Sequence, residues 1–147
     1  MPQASRSALP QLPPGLSFQL ERTVLPEWTI AYYDPRLPPV LSTPAMIALM
    51  EIAAAWAVAP HLPPGTITVG TRIVVDHLEP ARPGDRLRVR ARLSRYEDQF
   101  LVFTVEARAG RRLLGRGEVF RAVVDAQRFA RGRRRAIRDN RGKTSGD

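Results

Sequence analysis

The chain contains no cysteine, which excludes a disulfide framework and any metal site built on thiolates. No proline lies beyond Pro83, although all 14 prolines fall at or before it, so the second half can form uninterrupted regular structure. Only two histidines are present, His61 and His77, and any chemistry that needs imidazole has just these two to use. Long apolar runs are also missing. The greasiest segment, residues 45–59, carries a charge near its centre and is too short to span a bilayer. The N-terminus, "MPQASRSALPQLPPG", has proline where a secretory leader has its apolar stretch. These absences point to a soluble protein, without membrane contact, in a reducing compartment such as the cytoplasm.

What is present fits one packed domain. The chain has 147 residues, 44% of them hydrophobic, enough for a real core. The net charge of +9 is uneven: from Arg128 to the end there are eight basic and two acidic residues, a net of +6. The tail "ARGRRRAIRDNRGKTSGD" has too little apolar surface to order itself. Such a tail can touch nucleic acid or anionic lipid; a solvated terminus is the plainer reading. The expected division is a Pro-rich arm over 1–15, a domain over 16–130 and a basic tail over 131–147.

Residues 16–25, "LSFQLERTVL", alternate loosely and read as a first strand. "EWTIAYYDPRLPPV" reads as strand or loop broken by Pro35, Pro38 and Pro39. Next comes a helix over 45–59, with Ser42 or Thr43 as N-cap, Pro44 at its first position and Pro60 beyond its end. Being apolar on every side, it should be surrounded by protein. Four strands follow, near 66–78, 86–94, 99–107 and 113–125. In the second, Leu87, Val89, Ala91 and Leu93 alternate with Arg86, Arg88, Arg90 and Arg92, giving one dry and one wet face. Gly115 and Gly117 mark a bulge or a close approach in the last. The expected fold is α+β, a hotdog fold: an antiparallel sheet of about five strands, read as a strand and then a four-stranded meander, wrapped around one long buried helix. A dimer with a continuous sheet would cover the free edge.

One residue is out of place in "MIALMEIAAAWAVA": Glu51. An ionised carboxylate among apolar side chains is costly unless it is paired. Its helical neighbours Ile47, Ala48, Ala54 and Ala55 offer nothing, so its partner must come from another element. His77 ends the strand "VGTRIVVDH" on the face of Ile73 and Val75; that face is expected to meet the helix, with His77 as the partner of Glu51 and the two as an acid/base pair. A Thr stands at the helix start, but eight helical residues rise ~12 Å, so Thr43 cannot touch Glu51 along one straight helix. Either the substrate spans them, or the N-terminal segment folds back, or a second subunit supplies one of them.

The segment "STPAMIALMEIAAAWAVAPHLPPGTITVGTRIVVDHLEPARPGD" resembles the core of the hotdog-fold thioesterases related to fluoroacetyl-CoA thioesterase, and the likeness runs from about 16 to 130. The resemblance implies a catalytic set of Thr43, Glu51 and His77, a glycine near the acyl group at Gly70 and a substrate-side arginine at Arg121. It implies an acyl-CoA substrate, no cofactor beyond the coenzyme A of that substrate, no metal, and a homodimer or tetramer. Glu51 would attack the acyl carbon or activate water, Thr43 would be nucleophile or orienting donor, and the Gly70 N–H would meet the oxyanion. Rim arginines such as Arg72, Arg82 or Arg121 suit the phosphates of coenzyme A. In "DPRLPPVLST" this chain has Leu37 and Leu41 and no phenylalanine where the fluoroacetate-specific member carries bulky aromatics, so the resemblance leaves the acyl group open. The alternative function is a non-catalytic acyl-CoA-binding or sensing protein of the same fold; a hotdog dehydratase or isomerase is a third.

Overall fold

A computed structural model describes residues 11–13 and 15–132. Most of the Pro-rich arm and the tail beyond 132 lie outside the described residues. Strand β1 (Ser17–Thr23) is followed by a short 3-10 turn (Pro26–Trp28) and one turn of helix, α1 (Ile30–Tyr33). The long helix α2 (Thr43–Val58) runs on into a 3-10 turn (Ala59–His61). Strands β2 (Thr66–His77), β3 (Arg86–Glu97), β4 (Phe100–Ala109) and β5 (Arg112–Asp125) complete the sheet, and a short helix, α3, covers 126–132.

The five strands form one antiparallel sheet in the order β1-β3-β4-β5-β2. This corrects the expected four-strand meander. Strands β3, β4 and β5 are joined by two-residue turns, but β2 pairs with β5 and not with β3. The link over 78–85 therefore crosses the end of the sheet, about three strand spacings or ~14 Å. Backbone hydrogen bonds tie it down on the way. The N–H groups of Leu78 and Glu79 donate to Leu114 O, Leu41 N–H donates to Ala81 O, and Gly84 N–H donates to Val24 O. Nothing in the apolar pattern of a strand names its neighbour, so a Pro-Gly turn was open to either reading.

Helix α2 lies across the inner face of the sheet. Met46, Leu49, Met50, Ala53, Ala54, Ala57 and Val58 are buried against Leu20, Leu87, Val89, Ala91, Leu101, Phe103, Val105 and Val119. The alanines let helix and sheet approach closely, and each large side chain buried here contributes roughly 1.5–3 kcal/mol. The arginines of β3 point to the other face as their alternation predicts. Two expectations need correction. The segment "EWTIAYYDPRLPPV" is a 3-10 turn and a helical turn in an excursion closed at its base by a Thr29–Leu41 bridge. And α2 is not surrounded within one chain: Ile52 and Trp56 remain exposed. Counted through His61, the helix is long and apolar enough to cross a membrane by length and composition alone; here it is the core helix of the domain.

Ser42, not Thr43, caps α2. Its Oγ accepts the Ala45 N–H at 3.2 Å, which satisfies one orphan donor of the first turn. Ser42→Ala is expected to cost about 1 kcal/mol, read as a lower urea midpoint at unchanged slope. The cap has a second effect: it leaves the Thr43 hydroxyl free for other work.

Candidate active site

That hydroxyl meets His77. Thr43 Oγ1 and His77 Nδ1 are 2.8 Å apart, joining the first turn of α2 to the last residue of β2. The ring is held from the strand face that carries Ile73 and Val75, both packed on the core. Its other nitrogen, Nε2, is buried and has no hydrogen-bond partner among the described residues. A buried orphan of this kind is uncommon. Ile30, Val40, Leu41, Leu78, Glu79 and Pro80 complete a cleft of about 310 Å³ around the pair. The excursion before α2 forms one wall of it and exposes Tyr32 and Tyr33 nearby.

Glu51 sits two turns further along the helix, in a second cleft of about 440 Å³ between α2 and β2. The expected contact with His77 is not formed within this chain: His77 Nδ1 is taken by Thr43, and no hydrogen bond joins the ring to Glu51. Its partner is Arg121, whose Nη1 lies 3.5 Å from Glu51 Oε1. The separation follows from geometry: β2 runs back along α2, so its end reaches Thr43 while its first half faces Glu51. The carboxylate is partly open, with 35% of its side chain exposed, while Arg121 is nearly enclosed at 9%. Burial pushes the Arg121 guanidinium below its usual range, and the facing Glu51 carboxylate works the other way. Arginine stays charged regardless, so the cleft holds a fixed cation against the carboxylate.

Gly70 explains how Glu51 fits. A Cβ built on it would stand 2.1 Å from Glu51 Oε1. The carboxylate occupies the space a side chain would fill. Gly70 and His77 are seven residues apart, an odd number that on a regular strand sends them to opposite faces. Between Gly70 and Arg72 the pairing with β5 slips by one, so Thr71 is an extra residue. That bulge restores both to the helix side. The irregularity expected around Gly115 is also present. The β4–β5 register shifts at Leu114, and a Cβ on Gly117 would lie 2.0 Å from Val74 O.

The arginines read as phosphate clamps separate. Arg121 turns inward. Arg72 stands 5.1 Å from the Phe120 ring centroid, on the sheet face away from α2. Arg82 is exposed on the crossing link. Among the described residues no three of His, Asp and Glu converge as metal ligands. Sequence reasoning missed Thr68, which holds Arg121 through its hydroxyl and its carbonyl. A threonine in a strand carries no signal of such a task.

A helix wrapped by a five-stranded antiparallel sheet is the hotdog fold of the thioesterase superfamily. Residues 24–127 match the family described as fluoroacetyl-CoA-specific thioesterase. The fluoroacetyl-CoA thioesterase of Streptantibioticus cattleyicolor is 34% identical over 121 residues, 78% of this chain and 87% of that protein. A solved structure of the fluoroacetyl-CoA thioesterase FlK superposes with a TM-score of 0.79 at 32% identity, covering 85% of this chain and 97% of that one. A thioesterase superfamily member from Thermus thermophilus gives 0.82 at 28% identity, over 90% and 98%. The chain belongs to the fluoroacetyl-CoA-specific thioesterase family and is a thioester hydrolase.

Proposed function

We propose that this protein hydrolyses an acyl-coenzyme A thioester to the free acid and coenzyme A, in the cytoplasm, as a homodimer whose active sites each draw on both subunits. The observation that carries the reading is the 2.8 Å contact between Thr43 Oγ1 and His77 Nδ1. A hydroxyl within reach of an imidazole is the pattern of an activated nucleophile. Thr43 attacks the acyl carbon as His77 takes its proton. The C–S bond breaks, and His77 returns the proton to the departing thiolate. Water then cleaves the acyl-threonine ester: the Glu51 carboxylate, facing Arg121, takes a proton from the attacking water, the ester C–O bond breaks, and that proton passes to the departing Thr43 oxygen. The positive end of α2 lies beside the acyl oxygen throughout. A carboxylate set against an enclosed guanidinium in this cleft also disfavours the pure binding protein, which has no use for it.

The dimer is supported by three features. Strand β2 is an edge, paired on one side only. Apolar side chains beside that edge are bare, with Val74 51% exposed and Ile52 and Trp56 exposed on α2. And the two halves of the site occupy separate clefts of one chain. Antiparallel pairing of β2 with its copy runs the His77 end of one strand beside the Gly70 region of the other. Thr43 and His77 then face Glu51 of the partner subunit.

Subunit mixing tests this. His77→Ala and Glu51→Gln chains, each inactive alone in steady-state thiol release from acyl-CoA, are unfolded and refolded together. Heterodimers carry one intact site, so activity returns to about a quarter of wild type. A mixture as inactive as its components would overturn the shared site. Wild-type protein inert on every acyl-CoA it binds would overturn the hydrolase reading.

A further inference from the structure

The guanidinium of Arg121 is aimed by a single residue. Its Nε–H donates to Thr68 Oγ1 at 2.9 Å, and its Nη2–H donates to the Thr68 carbonyl at 3.0 Å. That leaves Nη1 facing Glu51 at 3.5 Å. Arg121 stands opposite Gly70 in the β2–β5 ladder, so its side chain reaches diagonally back along β2 to find Thr68. Any residue at 68 would supply the carbonyl. The hydroxyl is the part that depends on the side chain, and two contacts to one residue fix the plane of the fork where one would let it swing. Thr68 also lines the Glu51 cleft, on a strand where a β-branched apolar side chain would pack as well. Its polarity has no other hydrogen-bonded use among the described residues.

We infer that Thr68 is a positioning residue for hydrolysis: it orients Arg121 so that the guanidinium holds the Glu51 carboxylate in place. The inference rests on the proposed role of Glu51 and adds a residue to it. Thr68 acts through Arg121, so its effect belongs in kcat and not in substrate binding.

Thr68→Val keeps the shape and removes the hydroxyl. It is expected to lower kcat about tenfold, because a displaced catalytic group loses rate steeply, with KM within about twofold. Thr68→Ser is expected to restore kcat. In an Arg121→Met background the same Thr68→Val change should cost nothing further, since the group it positions is gone. Thr68→Ala carries the comparison without branching at Cβ should the valine variant fold poorly. A purely structural threonine would lower the unfolding midpoint and leave kcat per folded molecule unchanged; that result, or full additivity with Arg121→Met, overturns the inference. Glu51→Gln assayed alongside separates the two levels. If it retains wild-type turnover, the reading of Glu51 fails; if it is inactive while Thr68→Val has wild-type kcat, only the role of Thr68 fails.

Discussion

Glu51→Gln is expected to abolish steady-state thioester hydrolysis, by about 10³-fold or more, while leaving a single burst of thiol. The amide is the same size as the carboxylate but cannot take a proton from water, and general-base removal costs roughly 10²–10⁴ in rate. Attack by Thr43 does not need that base, because His77 is in contact with the hydroxyl. One equivalent of coenzyme A should therefore leave per site, and the acyl group should remain on Thr43. Intact-mass measurement after quenching reads the adduct, and Thr43→Ala in the same background should eliminate it. Turnover at the wild-type rate would remove Glu51 from the chemistry. A dead enzyme with no burst would move Glu51 into the first step, as the group that attacks or activates water directly, and would overturn the acyl-threonine. Stability should change little, since Arg121 keeps both contacts to Thr68.

The parts of this site that could be read from the chain are those written in local pattern. Proline on both sides and an apolar run give α2 its existence and nearly its ends, and Glu51 stands out there because nothing nearby can pair it. Alternation places Leu87, Val89 and Ala91 inward and the arginines of β3 outward. Parity along β2 puts His77 on the face of Ile73 and Val75, which is the packed one. What could not be read depends on pairs distant in sequence. Glu51 and Arg121 are 70 residues apart, and their contact exists because β2 crosses to the far edge and brings β5 behind it. The insertion of Thr71 likewise has no signature in "VGTRIVV", yet it decides that Gly70 and His77 serve the same side. Pairing Glu51 with His77 inside one chain was the natural guess from two unusual residues. Along a 16-residue helix that the strand retraces, each finds a different neighbour.

Gly70→Ala should separate activity from stability. The new methyl would stand 2.1 Å from Glu51 Oε1, 3.3 Å from its Cδ and 3.5 Å from Arg121 Nη1. No backbone atom lies among those nearest contacts, and Gly70 is not among the positive-φ glycines. Alanine is therefore compatible with the strand, and the only group that must yield is the end of a flexible side chain. Glu51 can rotate away through its three side-chain torsions at a cost near that of one off-rotamer angle, about 0.5–1.5 kcal/mol. Less backbone freedom in the unfolded alanine chain offsets part of that. The unfolding midpoint should stay close to wild type. The carboxylate, however, can no longer rest against β2, and its line to Arg121 lengthens. Displacement of a catalytic group by about an ångström costs on the order of 10²-fold, so kcat should fall by that amount in a protein that melts normally. A variant with wild-type kcat would show that the position of Glu51 against Gly70 has no bearing on the reaction. A variant whose loss of activity matched its loss of folded protein would assign Gly70 to packing and not to catalysis.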